Sequence, residues 1–146
     1  MADPASLVDE RLEQLLAETD GTTDPVTFRG RQYDLGLAWV HFPEGFGGLG
    51  APPPLQRRIE ERISDAGRPS APGTTFFGLT MAGPTIVTHG SDEAKHRLLR
   101  PMFTGEEAWC QLFSEPGAGS DLAGLSCKAV RDGDEWVVTG DRKSVV

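Results

Sequence analysis

The sequence predicts a mainly helical N-terminal domain followed by the first strands of a β domain. Three observations carry that class: helix-period patterns fill the first two-thirds, β-rich segments gather in the last third, and the two do not alternate as βαβ units would. The change of character divides the chain into domains 1–108 and 109–146.

Leu7, Val8, Leu12, Leu15 and Leu16 recur at helical spacing among charged residues, and Ser6 stands where an N-cap would, predicting a helix over 6–18. From Thr19 to Arg31 the residues are polar, with Gly21, Asp24-Pro25 and Gly30, and the expectation is a surface crossing without regular structure, then a short helix over Tyr33–Trp39. Four glycines between Gly45 and Gly50 force a structured turn. Leu55, Ile59 and Ile63 predict a helix over 55–66 with Gly67 as its C-cap and Arg57-Arg58 and Glu60-Glu61 on its solvated side. Thr74–His89 is apolar on more than one face and reads as a buried helix kinked or broken at Pro84. Ser91 caps a helix over 92–99. Trp109–Phe113 and Ser126–Arg131 read as extended, Asp132-Gly133-Asp134 as a tight turn, and Glu135–Thr139 as a strand.

Glycine (18) and proline (11) make up about a fifth of the 146 residues, so much of the chain is loop. A net charge of -8, with no basic run beyond Arg57-Arg58, argues against nucleic acid as a partner. No segment approaches the ~20 apolar residues of a membrane span, and the N-terminus lacks a targeting pattern, which predicts a cytoplasmic protein. Cys110 and Cys127 form no metal or disulfide pattern and read as small buried apolar residues; His41, His89 and His96 lack the company that metal ligands need. Trp39, Phe42 and Phe46 around the glycine-rich turn read as core packing.

The stretch from Trp109 to Leu125 carries the chemistry. A strand-like segment feeds a Glu115-Pro116 corner and a Gly117-Ala118-Gly119-Ser120 loop, where missing side chains let a ligand approach the backbone and Ser114 and Ser120 add hydroxyls. No lysine follows the glycines as a P-loop requires, and Leu122 stands where a dinucleotide fingerprint has its third glycine. A free-standing nucleotide-binding module is therefore disfavoured, and the loop alone leaves open a site for a planar heterocycle or carbonyl and a turn with no ligand.

Gln111 to Leu125, reading QLFSEPGAGSDLAGL, resembles the first signature of the acyl-CoA dehydrogenase family, and Ala129–Val138 continues it. Pro43-Glu44-Gly45-Phe46-Gly47-Gly48-Leu49-Gly50 is similar to that family's P-E-x-x-G-G-x-G turn, and the blocks from Met81 to Glu106 fit its helices in order. The resemblance implies an N-terminal helical domain, a β-barrel-like middle domain of which this chain holds the first strands, and a C-terminal four-helix bundle, assembled as a homo- or hetero-oligomer. It implies FAD as cofactor, an acyl-CoA as substrate, an electron-transfer flavoprotein or similar acceptor, and a place in lipid metabolism. By position, Gln111 and Phe113 contact the flavin through their backbone, Ser114 approaches the flavin N5 that receives hydride, Gly119 with Gly117 allows close approach, and Ser120 lies near the substrate. Glu115 reads as structural and no residue reads as the catalytic base.

The likeness fades at Asp141: Ser144 stands at the position of a flavin-side tryptophan and Val146 at that of a hydroxyl residue. The expectation is a shortened chain, from a shifted frame, a damaged gene or a gene fragment, that does not perform the family's FAD-dependent α,β-desaturation alone. The alternative is a non-catalytic subunit of a heteromeric acyl-CoA dehydrogenase.

Overall fold

The carboxylate of Asp3 accepts from the Ser6 backbone N–H and opens the first helix, α1 (Pro4–Glu18), in a computed structural model that describes residues 3–71 and 73–143. The start lies two residues before the expected one because Pro4 suits the first helical turn, where no N–H is needed. Ser6 gives its hydroxyl to Asp3 instead of capping. Val8, Leu12 and Leu15 of α1 are fully buried.

The segment expected to be irregular contains α2 (Pro25–Asp34), whose cap Asp24 accepts from the N–H groups of Val26 and Thr27. The helix buries Phe28, Arg29, Gly30, Gln32 and Tyr33, and the polar Arg29 and Gln32 among them hide the helical period. The helix expected over Tyr33–Trp39 is not formed. The chain turns at Gly36 (φ +76°), and the N–H groups of Ala38 and Trp39 both donate to the Gly47 carbonyl at 3.0 Å. That contact ties them to the Pro43–Gly50 turn.

Helix α3 (Leu55–Asp65) packs Ile59 and Ile63 against Val8, Leu12, Leu15 and Phe28, and Gly67 follows it at φ +64°. Arg58 pairs with Asp9 at 2.6 Å and Arg62 with Glu13, joining the solvent edges of α1 and α3. A 3₁₀ turn (Gly73–Thr75) and a π-helical turn (Gly78–Ala82) precede α4 (Gly83–His89). The expected buried helix is thus broken, with Pro84 in the first turn of α4, and it is not buried throughout, since Phe76 is 59% exposed. Helix α5 (Asp92–Thr104), capped by Ser91, continues through Pro101, five residues past the expected end. Leu99, Met102 and Phe103 are buried, and this packing outweighs the proline's missing N–H. Among the described residues no helix is long and apolar enough to cross a membrane.

A second core cluster gathers Tyr33, Ala38, Trp39, Phe42, Leu99 and Phe103. Trp39 stacks on Phe42 with ring centres 4.8 Å apart and donates its indole N–H to the Leu79 carbonyl at 3.0 Å, so the aromatic residues near the turn are core, as the sequence suggests.

The chain divides into two compact units, 1–109 and 110–146. The second contains an antiparallel hairpin of β1 (Lys128–Asp132) and β2 (Glu135–Thr139), turned at Gly133 (φ +60°), with Val130 opposite Val137 and Ala129 opposite Val138. All ten strand residues are exposed. Trp109–Phe113 forms no strand: none of its residues has a ladder or bridge partner among the described residues, and isolated bridges begin just beyond it, at Ser114 with Lys143 and at Glu115 with Ala118. The cysteines also depart from expectation: Cys110 is exposed and Cys127 half-buried.

Candidate functional site

Glu115 organises the loop. Its carboxylate, 7% exposed, accepts from the Ser126 N–H and hydroxyl, both at 2.8 Å, and from the Cys127 N–H at 2.7 Å. Arg142 Nε lies 3.4 Å away. These donors, the Ser126 backbone foremost and the Arg142 charge least, hold the Glu115 carboxyl below the usual glutamate range. The side chain reads as structural in the sequence, and its partners are of that kind.

Around it the loop closes on itself. The N–H of Glu115 donates to the Ala118 carbonyl at 2.9 Å and the N–H of Ala118 returns to the Glu115 carbonyl at 3.1 Å, with Pro116-Gly117 between. The Lys143 N–H donates to the Ser114 carbonyl at 2.8 Å, and the Arg142 guanidinium donates to the Phe113 carbonyl. Arg142 therefore clasps both the entry to the corner and its carboxylate. Arg142 carries no signal in the sequence, because it lies in the stretch where resemblance fades, 27 positions from the carboxylate it approaches.

The expected site residues fall on one continuous segment. Gln111 and Ser114 are half-buried, Phe113 is 51% exposed, and Gly119 and Ser120 are exposed. One lone pair of the Phe113 carbonyl is taken by Arg142, which leaves its N–H and its second lone pair for a ligand. Ser144 and Val146 lie outside the described residues.

A flavin expected here can be tested against the glycines. An added Cβ at Gly117 or Gly119 would meet nothing within 4 Å, and neither residue has a positive φ. The chain's own packing and backbone therefore do not require glycine at either position, whereas a ligand approaching the backbone does. With the Ser114 hydroxyl and the uncovered Leu112 and Phe113 side chains, the donor set fits a planar heterocycle with one polar edge.

Residues 3–106 match the family described as acyl-CoA dehydrogenase, N-terminal domain. The chain is 42% identical over 109 residues to acyl-CoA dehydrogenase FadE34 of Mycobacterium tuberculosis, covering 75% of this chain and 15% of that protein. Among solved structures it resembles an acyl-CoA dehydrogenase from Geobacillus kaustophilus (29% identity, TM-score 0.56, 89% of this chain and 33% of that one). It also resembles the ChsE4-ChsE5 complex from Mycobacterium tuberculosis (28% identity, TM-score 0.54, 96% of this chain and 38% of that one). The chain thus spans between about a seventh and two-fifths of these proteins.

Proposed function

We propose a role that proceeds from one premise: the chain belongs to the acyl-CoA dehydrogenase family. Its part in the FAD-dependent α,β-desaturation of an acyl-CoA thioester is to supply the helical domain, 1–108, and the opening of the middle β domain, 109–146, with the loop that faces the flavin. The observation that carries this is the Glu115-anchored corner, which braces Phe113 and Ser114 on one side and leaves Gly117 and Gly119 open on the other.

FAD, when bound, supplies the acceptor for the substrate's β-hydride. The backbone at Gln111 and Phe113 holds the flavin ring's polar edge, Ser114 presents its hydroxyl toward the N5 side, Gly119 admits close approach, and Ser120 faces the acyl-CoA. No residue of this chain is assigned as the base that removes the α-proton. Electrons pass onward to an electron-transfer flavoprotein or a similar acceptor.

A second reading makes the chain a non-catalytic subunit of a heteromeric dehydrogenase. It is favoured by the hairpin, which carries Val130 and Val137 on one face and Val138 and Trp136 on the other, all more than half exposed. Such a ribbon suits cover on both faces by other polypeptide. The ChsE4-ChsE5 relative is itself a complex.

The test is to purify residues 1–146 alone and with a co-expressed acyl-CoA dehydrogenase partner, then measure bound-flavin absorbance and turnover with an artificial electron acceptor. Little flavin and no turnover are expected from the chain alone. Ser114→Ala is expected to lower flavin content in the assembled enzyme. Turnover by the chain alone would overturn the shared-site reading, and unchanged flavin in the Ser114 variant would overturn the loop assignment.

A further inference from the structure

Residues 142 and 143 reach the loop at three points. Arg142 Nη1 donates to the Phe113 carbonyl, Arg142 Nε lies 3.4 Å from Glu115 Oε1, and the Lys143 N–H donates to the Ser114 carbonyl at 2.8 Å. The three acceptors belong to consecutive residues, with Ser114 in the middle.

A peptide unit is planar, so the course of the chain through one residue is set by the two planes that flank it. For Ser114 both planes have a partner in 142–143. The plane between Phe113 and Ser114 is held at its carbonyl by the Arg142 guanidinium. The plane between Ser114 and Glu115 is held at both ends: its carbonyl accepts from Lys143, and its N–H donates to the Ala118 carbonyl at 2.9 Å. Fixing both planes fixes φ and ψ of Ser114 and therefore the direction of its Cα–Cβ bond, which leaves only the staggered choices of χ1 for the hydroxyl.

Arg142 is suited to this task. Its guanidinium is a rigid planar fork that reaches the Phe113 carbonyl with one nitrogen while another lies beside Glu115, whereas a lysine offers a point charge on a flexible stem. Glu115 is itself held by the Ser126 and Cys127 N–H groups, so the fork is braced against the buried part of the corner. Lys143 contributes its main chain, and its side chain is exposed.

We infer that Arg142 and the Lys143 backbone N–H are the positioning device of Ser114, setting the direction of its hydroxyl from outside the loop. The use of that hydroxyl toward a flavin rests on the function proposed above; the positioning itself does not.

The first measurement needs no flavin. In the full chain, the NMR Hα–Hβ couplings of Ser114 are expected to report one rotamer. Arg142→Ala and Lys143→Pro, which removes only the N–H donor, are expected to average them. Lys143→Ala is expected to leave them as in the wild type, and Arg142→Lys to fall between wild type and Arg142→Ala. Averaged couplings in the wild type, or wild-type couplings in both Arg142→Ala and Lys143→Pro, would overturn the inference. Should Arg142→Ala fail to fold, the contrast of Lys143→Pro with Lys143→Ala decides.

The second measurement is flavin affinity in the enzyme assembled with its partner. Ser114→Ala is expected to raise the flavin Kd about tenfold, the worth of one hydrogen bond, and Arg142→Ala to raise it as much. If Arg142 acts through Ser114, the double variant loses no more than Ser114→Ala alone; independent effects would multiply to about a hundredfold. A multiplied loss would overturn the inference. Unchanged affinity in Ser114→Ala would instead overturn the flavin reading of the loop, and the coupling measurement would still decide the positioning.

Discussion

The Glu115 carboxylate holds the Cys127 N–H at 2.7 Å across twelve residues of chain, and with the Ser126 N–H and hydroxyl it ties the loop's corner to the residues leading into β1. Replacing it by alanine leaves three donors without their acceptor. Amide hydrogen exchange at Ser126 and Cys127 is expected to lose most of its protection in Glu115→Ala while the residues of α1 and α3 exchange as before. Glu115→Asp, too short to reach all three donors, is expected to fall between. Equal protection in wild type and Glu115→Ala would show that the corner stands without this carboxylate.

Glu18 gives a prediction in pH. Its carboxylate accepts from both the Arg31 guanidinium, at 3.0 Å from Nη2, and Gln14 at 2.9 Å, and these bonds hold its pKa down to about 2, the Arg31 bond being the larger cause. A carboxyl whose folded pKa lies below its unfolded value contributes stability above the unfolded value, near 4.5, and loses it as pH falls through 2. Carboxyl ¹³C NMR should place the Glu18 midpoint well below those of unpaired glutamates, and added salt should move it upward, because both partners reach solvent.

These two carboxylates also mark what the sequence exposes and what it conceals. Helices α1 and α3 are legible because Val8, Leu12, Leu15, Ile59 and Ile63 repeat at helical spacing and all are buried. Helix α2 is not, because Arg29 and Gln32 occupy its inner face. Their acceptors, the Phe103 and Leu37 carbonyls, become visible only in three dimensions. The Asp24-Pro25 pair signals a turn and a helix start equally well, and only the buried Phe28 and Tyr33 decide. In the site, the glycines and serines are legible as a local run. The clasp by Arg142 is not, since it joins positions 29 residues apart in a stretch without a recognisable pattern. Trp109–Phe113 has strand composition but no ladder partner, and composition alone does not form a strand.

Trp39 links the second core cluster to the π-helical turn. Its ring centre lies 4.8 Å from Phe42 and 5.2 Å from Phe103, and its N–H satisfies the Leu79 carbonyl. Trp39→Ala is expected to cost about 3–5 kcal/mol in urea unfolding, the range for truncating a buried aromatic. Trp39→Phe keeps most of the apolar contact but removes the donor, and is expected to cost about 1–3 kcal/mol. The two values should differ in that order; similar losses would mean that the hydrogen bond, not the ring packing, dominates.

The glycines separate structure from ligand. At Gly48 an added Cβ would lie 2.1 Å from the Phe42 carbonyl oxygen and 2.5 Å from that of Trp39, both backbone atoms that no rotamer change can move aside. Gly48→Ala is therefore expected to lower unfolding stability by more than about 3 kcal/mol, among the severe class of single substitutions. At Gly119 the same methyl group meets open space on a backbone of ordinary φ. Gly119→Ala is expected to unfold within about 0.5 kcal/mol of the wild type, as a surface change without a partner does. Yet in the enzyme assembled with its partner it should lower bound flavin, because the methyl group occupies the path of ligand to backbone. A Gly119 variant with normal stability and reduced flavin would support the loop as the cofactor's contact, whereas normal flavin content would reduce it to a turn with no ligand.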